Sequence, residues 1–86
     1  MFLVWFDPDK RRSIRTKLDD AVAVYLEKFG ADPDVCLVNE VDRKALLATR
    51  PAPPIPLRSE RFVSPNTFYV GHDERQPESG AADVAA

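Results

Sequence analysis

The amino-acid sequence predicts a small α/β domain with a mixed sheet built on a βαβ unit, one long amphipathic helix, a short second helix and a C-terminal β-hairpin. Three observations carry this prediction. The chain opens with the apolar run FLVWF, continues with a long stretch of helically spaced apolar residues, and then gives a second apolar run, VCLVNE. A strand, a crossover helix and a second strand form a right-handed unit with parallel strands.

The length of the chain limits it to one hydrophobic core. A chain of 86 residues is too short for two independently stable domains, so we expect a single α/β domain over residues 1–72. From Asp73 onward the sequence mixes charge with Pro, Gly and Ser, and Val84 is its only large aliphatic residue. Such a composition cannot offset the entropy of its own ordering, which predicts a disordered tail over residues 73–86.

The first strand and the long helix have clear sequence signals. FLVWF, residues 2–6, is apolar at every position, as is typical of a strand buried on both faces, and this predicts a central place in the sheet. Apolar residues from Ile14 to Phe29 follow helical spacing, with Asp9 or Ser13 available as N-cap and Gly30 as the stop. We expect the helix to pack on the strands through Leu18, Val22, Leu26 and Phe29.

The second half of the predicted domain contains shorter elements. VCLVNE, residues 35–40, predicts a strand, and Asn39 is placed to cap a short helix over VDRKALLAT, residues 41–49. LRSERFVS and TFYVG then predict two strands around the turn SPNT, in which Pro65 fixes φ and Asn66 tolerates unusual backbone angles. We expect these two strands to form an antiparallel hairpin.

A dense proline segment, RPAPPIPLR at residues 50–58, precedes the predicted hairpin. Its spacing of basic residues and prolines matches peptides that bind aromatic-lined grooves, in both orientations. A three-residue period is automatic once prolines crowd together, however, and a stiff extended run is also what a connector between a helix and a strand needs. The connector is the favoured interpretation.

Acidic residues follow both strands of the βαβ unit. Asp7 and Asp9 come after the first strand, and Glu40 and Asp42 come after the second. Because open α/β sheets bind ligands at the carboxyl ends of parallel strands, these four carboxylates are candidate ligands of a hard cation such as Mg²⁺. Asp is also an ordinary turn and cap residue in such loops, and this second interpretation is favoured, so no metal or cofactor is predicted.

The segment FLVWFDPDKRR, the helix ending in KFG and the strand VCLVNE together resemble the first half of the small adaptation nucleases of CRISPR systems. The resemblance implies a ferredoxin-like fold and a metal-dependent nuclease in which Asp7 is a metal ligand. It covers about half of the chain. The second half departs from the family, which continues with a hairpin and a second long helix. A metal-dependent nuclease or other phosphodiester-processing domain using Asp7 is therefore the alternative function.

Basic residues crowd the start of the long helix. Positive charge there opposes the helix dipole, so an anion or an acidic partner is expected nearby, and nucleic acid is a candidate. The residues are Lys10, Arg11, Arg12, Arg15 and Lys17, and the first four are the candidate anion- or partner-binding residues. The net charge of −2 argues against a strongly electrostatic nucleic-acid binder. A solvated face neutralised by neighbouring aspartates is the other interpretation, and it is slightly favoured.

The single cysteine and the single histidine offer no catalytic pair. Cys36 lies inside an apolar strand, which predicts an inert core thiol, and with no second cysteine it can form no intramolecular disulfide. His72 has no partner at zinc-ligand spacing. The opening MFLVWF is too short for a signal peptide or a membrane span. These features predict a cytoplasmic protein with no membrane association.

The aromatic residues present more apolar surface than one long helix can cover. Phe62, Phe68 and Tyr69 lie in the predicted hairpin, and alternation along its strands puts bulky side chains on both faces. We therefore expect these three residues to form a homodimer interface or to receive a partner strand. The function predicted from the sequence is a small non-enzymatic binding or assembly module that acts through protein–protein contacts.

Overall fold

The computed structural model describes residues 2–72, and the predicted tail, residues 73–86, lies outside this range. The α/β class with one long and one short helix is confirmed. The described residues contain β1 (Phe2–Phe6), α1 (Ile14–Phe29), β2 (Val35–Val38), α2 (Glu40–Leu47), β3 (Leu57–Ser59) and β4 (Thr67–Gly71). Neither helix in this part of the chain is long and apolar enough to cross a membrane.

The four strands form one mixed sheet in the order β1-β4-β2-β3. β4 pairs antiparallel with both β1 and β2, so β1 and β2 run parallel to each other with β4 between them. β3 pairs parallel with the other side of β2. The last two strands therefore do not form the predicted hairpin with each other. In this central position of β4, Phe68 and Val70 are fully buried in the core that the strands share with the helices.

The position of β1 also differs from the prediction. The run FLVWF was expected at the centre of the sheet, but β1 is an edge strand, and the central strands are β4 and β2. All four residues of β2 are buried, whereas β1 alternates between partly buried and exposed residues. β4, the last of the described strands, lies beside β1. This pairing joins segments that are distant in the sequence, so the apolar run of β1 alone cannot predict it.

Both helices begin at side-chain caps. The hydroxyl oxygen of Ser13 accepts the N–H of Thr16 at 3.1 Å, so Ser13 and not Asp9 caps α1. The helix ends at Gly30, whose φ of 71° is left-handed, as predicted. Asn39 caps α2 by accepting the N–H of Val41 at 2.9 Å.

The two helices lie on the same face of the sheet. The core between them and the strands contains Leu18, Ala21, Tyr25, Cys36, Val38, Leu46, Ile55, Phe68 and Val70. Leu26 and Phe29 were expected in this core, but their side chains are 44% and 45% exposed. A helix of 16 residues is about 24 Å long, whereas a strand of five residues spans about 17 Å. The strands are therefore too short to cover the whole length of α1, which agrees with the exposure of its last turn.

Candidate functional site

The basic cluster at the start of α1 is largely neutralised by its own neighbours. Arg11 Nε lies 3.1 Å from Asp9 Oδ1, and Arg12 Nε lies 3.1 Å from Asp7 Oδ2. Arg12 also forms an ion pair with Asp20. The hydrogen bond from the Arg11 side chain lowers the pKa of the Asp9 carboxyl. These contacts agree with the interpretation of the cluster as a solvated face with internal ion pairs.

Arg15 contributes to the fold and not to a free basic surface. Its guanidinium pairs with Asp19 at 3.1 Å and donates to the hydroxyl of Thr49 at 3.0 Å and to the carbonyl oxygen of Pro51. Arg15 therefore ties α1 to the start of the proline segment. Lys10 is exposed in the turn before the helix.

The proline segment acts as a connector in the described fold. Ile55 is buried in the core, and the carbonyl oxygen of Pro56 accepts the N–H of Cys36 at 3.0 Å. The segment is thus fixed to β2 as it leads from α2 into β3. These contacts support the interpretation that the prolines form a stiff link.

Two of the four candidate metal ligands meet at one corner of the sheet, around Asn66. The Asn66 backbone N–H donates to Asp42 Oδ2 at 2.7 Å, and its carbonyl oxygen accepts the N–H of Asp7 at 3.1 Å. Its side-chain Oδ1 accepts from Lys17 Nζ at 3.0 Å. Lys17 is only 3% exposed. The carboxyl ends of β1 and β2 do converge, as predicted, but Asn66 lies between the two aspartates.

The other two acidic residues do not join this corner as a metal site. The carboxylate of Asp9 accepts from Arg11, and Glu40 is exposed at the first position of α2. Asp7 Oδ1 accepts the backbone N–H of Asp9 at 3.0 Å. Within residues 2–72, no group of three or more His, Cys, Asp or Glu side chains is placed to hold a metal ion. Asp7 and Asp9 therefore have the geometry of turn residues, whereas Asp42 accepts from the distant Asn66.

Sequence reasoning missed the central role of Asn66 and Lys17. Lys17 comes three residues after Ile14 and one before Leu18, which places it on the apolar stripe of α1. A lysine on such a stripe needs a hydrogen-bond acceptor when it is buried. The turn SPNT is one of several polar segments next to the strands, so the sequence alone does not single out Asn66 as that acceptor.

Cys36 and His72 do not form a nucleophile and base. Cys36 is fully buried, and desolvation raises the pKa of its thiol to about 12, which agrees with the predicted inert thiol. His72 is exposed, and its Nδ1 contacts a carboxylate oxygen of Asp34. The thiol therefore stays protonated and inside the core.

The sheet face opposite the helices, called the open face, carries the second group of predicted residues. The register places Phe2, Val4 and Phe6 of β1 beside Gly71, Tyr69 and Thr67 of β4 on this face. Val35, Leu37 and Val63 form a small buried cluster at the β2 side. The β1 side is more open, because Val4 is 52% exposed and Phe6 is 62% exposed.

Phe62 extends this exposed region. Its ring packs edge-on against Tyr69, with ring centroids 5.4 Å apart, and it remains 61% exposed. Val4, Phe6, Phe62 and Tyr69 are called the β1 patch below. Phe68, the third residue of the predicted interface, is fully buried on the helix face and has no surface to offer. The sequence analysis missed Val4 and Phe6 because it placed β1 at the centre of the sheet.

Comparison of the chain with protein-family models, with curated proteins and with solved structures finds no match. The resemblance of its first half to the CRISPR adaptation nucleases therefore stays a prediction. Function has to be inferred from the geometry of the described residues.

Proposed function

We propose that this chain is a small non-enzymatic binding module that acts through protein–protein contacts. Its contact surface is the β1 patch together with the edge of β1 that pairs with no other strand within residues 2–72, called the free edge below. One observation carries the proposal. The strand FLVWF is apolar at every position, yet β1 is an edge strand on which Val4 and Phe6 are more than half exposed. Strands that are apolar on both faces are typical of positions with neighbours on both sides.

The two edges of the sheet differ in how they are protected. Natural edge strands avoid unwanted pairing by being short or by carrying charge or proline. β3, at one edge, has only three residues, includes Arg58 and directly follows Pro56. β1, at the other edge, has five residues with no charge and no proline. This difference supports a β1 edge that is covered by another protein strand in the assembled state.

The polar groups of the described residues support binding over catalysis. Asp7, which the nuclease alternative requires, accepts the N–H of Asp9 and pairs with Arg12. Cys36 is buried and its raised pKa keeps it neutral. Cleavage of DNA or RNA by the purified chain with Mg²⁺, if lost in an Asp7→Asn variant, would contradict the proposal.

Site-specific photo-crosslinking in the cell that makes the protein tests the contact surface. A photoreactive amino acid in place of Phe6 is expected to give one or a few discrete protein adducts. The matched control carries the same amino acid in place of Lys44, which is exposed on α2 away from the patch. Equal adduct patterns at the two positions, or no adduct at position 6, would refute the proposed surface.

A further inference from the structure

The backbone groups at the free edge of β1 can be assigned from one hydrogen bond and the strand register. The N–H of Asp7 donates to the carbonyl oxygen of Asn66, and the register pairs Phe6 with Thr67 and Val4 with Tyr69. Successive residues of an antiparallel strand point their N–H and C=O groups to opposite sides. The odd-numbered residues therefore face β4, and the even-numbered residues Phe2, Val4 and Phe6 point theirs outward.

This outward edge is complementary to itself. If two copies of β1 run antiparallel with Val4 opposite Val4 of a second copy, Phe2 lies opposite Phe6 and Leu3 lies opposite Trp5. Every cross-strand pair is then apolar, and aromatic and β-branched pairs of this kind stabilise sheets. No charged residue lies within the strand, so the pairing meets no like-charge repulsion.

Resting on the proposed function, we infer that the partner at this edge is a second copy of the chain, joined by antiparallel β1–β1 pairing about a two-fold axis at Val4. The outward N–H and C=O groups of Phe2, Val4 and Phe6 then all bond across the axis. The assembled sheet has eight strands with all helices on one side, and β1 becomes the central strand that its sequence predicts.

The ends of the strand fix the register. Moving the axis to Trp5 brings Asp7 and Pro8 into the pairing, and Pro8 has no N–H to donate. Moving the axis to Leu3 pairs only Phe2, Leu3 and Val4 with residues of β1 in the second copy. Only the axis at Val4 pairs all five residues of β1. A strand contact of this length is smaller than the standard interface of about 1,600 Å², so the dimer is expected to be reversible.

A proline at an outward position tests the pairing without breaking the sheet of one copy. Val4→Pro removes an N–H that faces away from β4, and proline is tolerated in edge strands. Val4→Ala is the matched control, because it shortens the same side chain and keeps the N–H. Sedimentation of the full chain over about a thousand-fold concentration range measures association, and the circular dichroism melt of each variant reports its fold.

We expect the unchanged chain to dimerise as concentration rises, Val4→Ala to weaken the dimer by about fivefold or less, and Val4→Pro to weaken it by about tenfold or more. A chain that stays monomeric throughout, while position 6 still crosslinks to another protein, overturns the inference and leaves the proposed function standing. A dimer that survives Val4→Pro but is lost in Phe62→Ser also overturns it, because the contact is then face to face. Loss of both self-association and crosslinking overturns both.

Discussion

Leu18 and Leu26 lie about two helical turns apart on α1. The first lies in the buried part of the helix and the second near its exposed end. Leu18 is 1% exposed in the core, whereas Leu26 is 44% exposed near the end of the helix. Replacing a buried leucine by alanine costs about 2–5 kcal/mol of unfolding free energy, because it removes apolar contacts and leaves a cavity. We expect about 3 kcal/mol for Leu18→Ala.

The cost for Leu26→Ala is worked from its exposure. Full burial of a leucine side chain contributes about 1.5–3 kcal/mol, and about half of that is realised at this position. Solvent fills the space that the side chain leaves, so no cavity cost is added. Alanine is also the better helix former by a few tenths of a kcal/mol. The expected loss is therefore about 1 kcal/mol.

Urea unfolding of the two variants measures this difference. A domain of this size is expected to have a total stability of about 4–10 kcal/mol, so Leu18→Ala removes a large share of it and Leu26→Ala a small one. The midpoint should fall strongly in the first variant and slightly in the second, with equal slopes. Equal midpoint shifts, or a larger shift for Leu26→Ala, would show that α1 packs on a different face.

Three further changes test the polar contacts and the thiol. Asn66→Gly should cost about 1–3 kcal/mol in urea unfolding, because glycine accepts the φ of 63° but leaves Lys17 buried without its acceptor; adding Lys17→Met should recover part of this loss, and additive losses would contradict the pairing. Arg15→Met should lower the free energy of unfolding by about 1–2 kcal/mol, because it removes the hydrogen bonds to Thr49 and Pro51. Backbone amides of the proline segment should then exchange faster with solvent. Burial raises the pKa of the Cys36 thiol from its ordinary value of 9.0 to about 12. The stability that this thiol contributes is therefore fully present below pH 9.0 and is lost as pH rises towards 12, by about 1.4 kcal/mol per pH unit. Cys36→Ala should remove this part of the alkaline loss, and an identical pH profile would refute the assignment.

The elements that local chemistry determines were predicted well. The bounds of α1 follow from the cap at Ser13, the spacing of its apolar residues and the left-handed position at Gly30. Asn39 likewise starts α2, and the turn containing Asn66 has the positive φ that asparagine tolerates. These signals act over a few residues, so they can be recognised in the sequence without knowledge of the tertiary fold.

The features that sequence reasoning placed wrongly depend on contacts between distant segments. The pairing of β4 with β1 joins the two ends of the described chain, and nothing local distinguishes it from a hairpin with β3. The burial of Phe68 and the exposure of Val4 and Phe6 both follow from that pairing. The corner at Asn66 joins residues from α1, α2 and two loops. The only local signal of these contacts is Lys17, a lysine on the apolar stripe of α1 that needs an acceptor when it is buried.

Amide hydrogen exchange along β1 tests the proposed pairing of β1 with a second copy most directly. In one copy, the N–H groups of Leu3 and Trp5 face β4, whereas those of Val4 and Phe6 point to the free edge. We predict that Leu3 and Trp5 exchange slowly at every protein concentration, while Val4 and Phe6 exchange fast in dilute solution and slow down as the concentration rises. Fast exchange of Val4 and Phe6 that does not change with concentration would contradict the pairing of β1 with a second copy.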